Sequence, residues 1–181
     1  FQELEFHDEL TISTSNKGFQ LSSNNIEFPI SSSNTCAQAY IRLKKEFPEL
    51  EGVKIHVNKN IPMGAGLGGG TSNAASALIG INKLYNLGLK KIQLRNISKN
   101  IGADVPFFIE GGTQVGKGIG DQLTQLKIKL PFIILLIFPN TVINTRWAYS
   151  QIRNKLEIPI NAVKFADLIG KDEIPFQLFE N

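Results

Sequence analysis

Residues Gly64 to Asn73 read G-A-G-L-G-G-G-T-S-N, and five of the first seven have no side chain. Backbone that bare can approach a ligand closely. The run follows a strand-like segment, Val53 to Val57, with Pro62 closing the turn, and it opens into Ala74-Ala75-Ser76-Ala77-Leu78, a strong helix former. Strand, glycine loop and helix start form a phosphate-binding arrangement. Exposed N–H groups and the positive end of the helix dipole both favour an anion, and Thr71 and Ser72 add hydroxyl donors.

Charge leaves two readings open. No acidic residue falls between Glu51 and Asp104, while Lys54, Lys59, Lys83, Lys90, Lys91, Arg95 and Lys99 are basic. The middle of the chain either prefers anions or carries a solvated basic helix face beside a glycine-rich turn.

The kind of phosphate loop follows in part by exclusion. Gly64, Gly66 and Gly69 satisfy the dinucleotide spacing, but that fold expects an acidic residue about 20 positions on. Leu, Gly and Lys stand near position 89 instead. A Walker A loop places Lys and then Ser or Thr after its last glycine, whereas Gly70 is followed directly by Thr71 and Ser72. The glycine loop of protein kinases lies in a hairpin and precedes a V-A-I-K strand, not an alanine-rich helix.

Pro62 to Ala75, P-M-G-A-G-L-G-G-G-T-S-N-A-A, resembles the phosphate loop of the GHMP small-molecule kinases. Two further blocks sharpen the likeness: Ile101-Gly-Ala-Asp-Val-Pro-Phe-Phe108, and Gly111-Gly-Thr-Gln-Val-Gly-Lys-Gly-Ile-Gly-Asp121. Together with Asn58-Lys-Asn-Ile-Pro62 and Asn82-Lys-Leu-Tyr85, they resemble the branch that phosphorylates 4-diphosphocytidyl-2-C-methylerythritol; mevalonate, galactose and homoserine kinases lack the pair. The resemblance implies an α+β fold of the GHMP type. It divides the chain into an ATP-binding N-terminal domain over residues 1–128 and the start of a ferredoxin-like domain over residues 129–181. Phe1 falls within what resembles the family's F-Q-x-x-x-x-x-D-E-L strand, and the preceding Ala-Lys-Ile-Asn and Asp-Gly-Tyr-His stretches are absent. The expectation is therefore a fragment of a longer protein.

The resemblance also assigns roles. Pro62, Gly64, Gly66, Leu67, Gly68, Gly69, Gly70, Thr71 and Ser72 would bind ATP, with Mg2+ implied by the nucleotide rather than by any ligand cluster, since His7 and His56 stand alone. Asp104 is explained by its place before Val105-Pro106 as a helix cap. In the family that aspartate faces the acceptor hydroxyl and takes its proton. Lys59 and Lys117 are the candidates, by sequence position, to replace the family's N-terminal lysine. Asn73 is expected at the substrate, and Tyr149 either stacks on the cytosine ring or fills a helix core. The reaction implied is direct in-line transfer from ATP to the 2-hydroxyl of the diphosphocytidyl-methylerythritol, a step of non-mevalonate isoprenoid synthesis. Another GHMP kinase such as a mevalonate-type enzyme, or a nucleotide-binding module without activity, are the other readings.

Composition agrees with an ordinary globular chain. Its 181 residues are 42% hydrophobic, and a net charge of +3 is too small to suggest nucleic acid. Cys36 rules out an internal disulfide and reads as core packing. Leu130 to Phe138 is apolar but too short for a membrane span and reads as a buried strand. The partner expected is a small molecule, with no membrane and a monomer or homodimer, in a bacterial cytoplasm or a plastid-type organelle.

The elements that must position these residues follow from periodicity. Phe1 to Phe28 alternates around Asn16-Lys-Gly18 and Ser23-Asn-Asn25, which suggests a meander. A helix is expected over Thr35 to Phe47, capped from Ser31-Ser-Ser-Asn34, with Ala37, Ile41, Leu43 and Phe47 as its stripe. Lys54 to Asn58 makes a strand, Ser72 to Tyr85 and Lys91 to Asn100 make helices, and Gly111 to Leu126 makes a glycine-rich hairpin. Beyond it, a strand at Phe132 and helices at Thr145 to Arg153 and Ala162 to Ile169 are expected.

Overall fold

The computed structural model describes residues 1–117, 120, 122–127, 133–138, 147, 150 and 151. The chain divides into two units, Phe1–Thr124 and Gln125–Asn181. Everything that follows on the site lies in the first.

Strand β3 (Gly52–Asn58) is the centre of a three-stranded sheet, and its burial alternates as its sequence does. Val53, Ile55 and Val57 are fully buried, while Lys54 and His56 alternate with them on the other face. β1 (Glu9–Ser15) pairs antiparallel to it, setting Leu10 against Val57 and Ile12 against Ile55. β2 (Gln20–Ser23) pairs parallel to β3 on its other side. The strand order is therefore β1-β3-β2, and the expected meander is overturned. A parallel pair needs a crossover, and helix α1 (Thr35–Glu46) between β2 and β3 provides it.

That order forces the short β1–β2 turn across the start of β3. Gly52 makes the crossing possible: a Cβ there would lie 2.6 Å from the carbonyl oxygen and 2.7 Å from the Cα of Gly18, and would also strike the Ser15 carbonyl. These neighbours are backbone and cannot rotate away.

Helices cover one face of the sheet. α1 is capped by Asn34, whose side chain accepts from the Cys36 amide at 2.8 Å. Its buried side is Cys36, Ala37, Ala39 and Leu43; of the expected stripe Ala37 and Leu43 are buried, while Ile41 is exposed. Cys36 is fully buried, as its core reading required. Burial pushes its thiol up to about 12, with the Asp8 charge adding to the effect and Lys59 opposing it. α2 (Gly69–Leu84) buries Ala74, Ala75, Ala77, Leu78 and Ile81. It begins three residues before the expected Ser72, because Gly68 in the left-handed region starts the helix. At its far end the Tyr85 hydroxyl donates to Gly52 O at 2.7 Å, and the Asn82 side chain holds both the N–H and the carbonyl of Leu89. α3 (Lys91–Ser98) ends two residues short of Asn100, and α4 (Val105–Glu110) packs on α2 and α3.

β4 (Thr113–Lys117) and β5 (Gln122–Leu126) form a two-stranded sheet where the glycine-rich hairpin was expected. Gln2 bridges antiparallel to Thr113. Residues 133–138, within the expected buried strand, belong to no strand and are exposed. A strand needs a neighbour for its ladder, and among the described residues none pairs with this segment. The expected helices at 145–153 and 162–169 fall largely or wholly outside the described residues, as does any ferredoxin-like second domain.

Gly52→Ala is expected to destabilise the unit by about 2–3 kcal/mol, read as a lower urea midpoint at unchanged slope. A midpoint equal to that of the parent chain would mean that the β1–β2 turn does not cross β3 as described.

Candidate active site

The glycine loop is bare for a geometric reason. Gly64, Gly66 and Gly68 have φ of 74°, 72° and 69°, the left-handed region in which side chains are strained. Three such turns within five residues leave the backbone amides, rather than side chains, as the loop's chemistry. Gly66 is exposed, and a Cβ there would meet nothing within 4 Å. At Gly68 a Cβ would come within 3.0 Å of the Phe108 ring, so α4 closes on the loop at that point. The loop then runs straight into α2, whose first N–H groups lack helical partners and whose dipole is positive there.

A buried ionic cluster sits behind the loop. Lys59 Nζ lies 2.5 Å from Asp8 Oδ2 and 2.8 Å from the Ile61 carbonyl oxygen. Asp8 Oδ1 accepts from the amides of Asn60 at 2.8 Å and Ile61 at 2.7 Å, and Oδ2 accepts from Asn73 Nδ2 at 2.9 Å. The side chains of Lys59 and Asp8 are 6% and 0% exposed, so the pair is removed from water. Burial works to raise the Asp8 carboxyl. The bonds from Lys59, from the Ile61 and Asn60 amides and from Asn73 together outweigh it and hold the group below its ordinary 3.8.

Two cavities flank the loop and share Gly66, Leu67, Gly68 and Asp104. The smaller, about 310 Å³, is further lined by Leu4, Phe6, His7, Ser72, Phe107 and Phe108. The larger, about 440 Å³, is lined by the loop from Pro62 to Thr71, by Lys59, and by Ser33, Asn34 and Thr35 at the start of α1. Thr35 Oγ1 donates to Gly70 O at 2.6 Å, which ties the starts of α1 and α2 together. Both sizes suit small molecules.

Asp104 lines both cavities and is exposed. It occupies the N-cap position of α4 but makes no side-chain cap bond, so the capping role open to it in the sequence is not used. Gly102 sets its distance from the loop: a Cβ there would lie 3.3 Å from Thr71 Cγ2. An exposed carboxylate at the boundary of two cavities can orient a hydroxyl and accept its proton.

The structure brings together Pro62, Gly64, Gly66, Leu67, Gly68, Gly69, Gly70, Thr71, Ser72 and Asp104 around these cavities. Thr71 spends its hydroxyl proton on Gly68 O at 2.8 Å. Asn73, expected at the substrate, is 1% exposed, lines neither cavity and gives its amide to Asp8. Lys59 is the ion-paired cation described above, and Lys117 is exposed at the end of β4. Tyr149 lies outside the described residues. Of the seven cations between Glu51 and Asp104, Lys59 alone lines either cavity. Sequence reasoning gave Asp8 no role beyond its place as the aspartate of the F-Q-x-x-x-x-x-D-E-L stretch, because its partners lie 51 to 65 residues away.

Residues 34–112 match the GHMP kinases N terminal domain family. The chain is 40% identical over 158 residues to 4-diphosphocytidyl-2-C-methyl-D-erythritol kinase of Chloroherpeton thalassium, covering 87% of this chain and 55% of that protein. It is 41% identical over 150 residues to the protein of the same name in Prosthecochloris aestuarii, covering 82% and 52%. The chain thus spans about half the length of the curated relatives it matches. Among solved structures, a 4-(cytidine 5'-diphospho)-2C-methyl-D-erythritol kinase superposes with a TM-score of 0.68 at 26% identity, over 93% of this chain and 60% of that one. A homoserine kinase from Cytophaga hutchinsonii shares the fold, with a TM-score of 0.60 at 18% identity over 90% of this chain and 57% of that one.

Asp8→Asn leaves the Lys59 charge buried without its counter-ion and is expected to cost about 3–5 kcal/mol at neutral pH. Because the Asp8 carboxyl is depressed in the folded state, its contribution is complete above the ordinary value near 3.8 and is lost as pH falls through the folded value. Urea titrations should therefore show the gap between parent and variant narrowing below pH 3.8; a gap that is constant with pH would contradict the assignment. In the loop, Gly66→Ala should cost about 1–2 kcal/mol from backbone strain alone. Gly68→Ala should cost more, since Phe108 must also move.

Proposed function

With residues 34–112 belonging to the GHMP kinase N-terminal domain family, we propose that the protein of which this chain is a part transfers the γ-phosphoryl group of ATP to the 2-hydroxyl of 4-diphosphocytidyl-2-C-methyl-D-erythritol. The observation that carries the proposal is the position of Asp104, on the boundary between the loop-lined cavity and its aromatic-walled neighbour. The names and identities of the curated relatives support the choice of acceptor.

The roles follow from the chemistry each cavity offers. The larger cavity takes the nucleotide, its phosphates against the amides of Gly66 to Thr71 and the positive end of α2. The smaller takes the acceptor, with Phe6 and His7 as flat faces for a heterocycle. Asp104 orients the acceptor hydroxyl and accepts its proton as the oxygen attacks phosphorus and the bond to the ADP oxygen breaks. The loop amides hold the charge of the transferring group in place, which is where most of the rate in phosphoryl transfer arises. Asp104 lines both cavities and Ser72 the smaller, so these hard oxygen donors would suit magnesium where the two cavities meet. Magnesium bound with the nucleotide would neutralise charge on the phosphates.

The test is ADP release from ATP and magnesium with 4-diphosphocytidyl-methylerythritol as acceptor, measured on the intact gene product alongside this 181-residue chain. Release by the intact product, absent with mevalonate or homoserine, is the expected result. Nucleotide binding without release would replace the enzyme with a binding module. Asp104→Asn in the intact product should lower kcat by about 10²–10⁴-fold. Its thermal midpoint should not move, because the side chain makes no cap bond.

A further inference from the structure

We infer that the buried Asp8–Lys59–Asn73 cluster is a latch that holds the glycine loop in its anion-binding shape, making these three positioning residues for the nucleotide. The kinetic part of the inference rests on the kinase reading above; the structural part does not.

Thr35 on Gly70 and Phe108 over Gly68 fix the far end of the loop, but its stretch from Pro62 to Gly66 has little of its own to fix it. Glycines offer no side chain of their own to pack, and Gly64, Gly66 and Gly68 are the residues with most conformations to lose. Within Pro62 to Gly68 there is one backbone bond, Ala65 N to Pro62 O at 3.3 Å. Its shape must be imposed from its ends, and one carboxylate reaches both. Asp8 Oδ1 takes the amides of Asn60 and Ile61, just before the loop, while Oδ2 takes the side-chain amide of Asn73, just after it. Lys59 neutralises that carboxylate and adds a bond to the Ile61 carbonyl.

Gly69 fits the same account. A Cβ there would lie 3.0 Å from Lys59 Nζ and 3.3 Å from Ile61 Cγ2, so the first turn of α2 closes tightly against the cluster and a larger residue would press on the Lys59 ammonium. Lys59 commits two of its three protons to Asp8 and Ile61, which is the bonding of an anchor.

Asn73→Ala and Asp8→Asn in the intact gene product test the latch, read by amide hydrogen exchange over residues 62–72 and by steady-state kinetics. Each variant is expected to exchange faster over this segment, with β1 and β3 little changed in Asn73→Ala and faster throughout in the globally destabilised Asp8→Asn, and to raise KM for ATP about tenfold while KM for the acceptor stays within about twofold. Asn73→Ala keeps the ion pair, so it carries the test if Asp8→Asn does not fold. Unchanged exchange in folded Asn73→Ala would overturn the inference. So would a fall in kcat with both KM values unchanged, the mark of fewer folded molecules, or a rise in the acceptor KM alone, the mark of direct substrate contact. Failure of the parent protein to transfer phosphate would remove the kinase reading, and the exchange measurement would then decide the latch by itself.

Discussion

The Asp8 carboxylate is the point on which the site's geometry depends. Removing a charge from water costs several kcal/mol even after relaxation, and it is tolerated when the partners are numerous and well placed. Here there are four: one ammonium, two backbone amides and one side-chain amide. They come from the end of the β3 segment and from α2, so meeting the needs of one buried charge joins the sheet to the helix that carries the loop. The same four donors hold the carboxyl's pKa below its free value despite burial.

This dependence follows from what an anion loop must be. For N–H groups to converge, the backbone enters the left-handed region three times, which selects glycine, and glycine in turn removes the packing that holds ordinary loops. Stiffness has to come from flanking residues. Thr35 on Gly70, Phe108 over Gly68 and Thr71 against Gly102 supply it from α1, α4 and the turn before α4. Each of these contacts also brings a cavity wall to the loop, so fixing the loop and building the site are one operation.

What the sequence disclosed divides along the same line. The loop, the α1 cap at Asn34, the apolar face of β3 and the helix after the loop are local patterns, and they lie where periodicity and capping put them to within a few residues. Strand order was not legible, since β1 and β2 alternate alike whether or not β3 is inserted between them; only the bare Gly52 marks the crossing, and a lone glycine has many explanations. Asp8 stands in the quoted F-Q-x-x-x-x-x-D-E-L stretch, but its role was not legible for the same reason, since its partners are distant in sequence. Lys59 is a candidate by sequence position to replace the family's N-terminal lysine, and Asn73 is expected at the substrate. Both are turned inward to Asp8.

The cations between Glu51 and Asp104 suggest an anion site built of lysines, and the structure argues for a different construction. Lys59 is the one that reaches a cavity, and its charge is matched by Asp8 at 2.5 Å. Lys91 faces Glu110 at 3.7 Å, and Lys83 lines a separate groove beside β1. Among the described residues, then, the attraction for an anion rests on backbone amides and a helix end, which act over the first turn and depend on direction as well as distance. A lysine can follow a displaced phosphate through its rotamers; a row of amides cannot. A site of this construction gives up adaptability and gains a fixed geometry about Asp104, which would suit the in-line transfer proposed above.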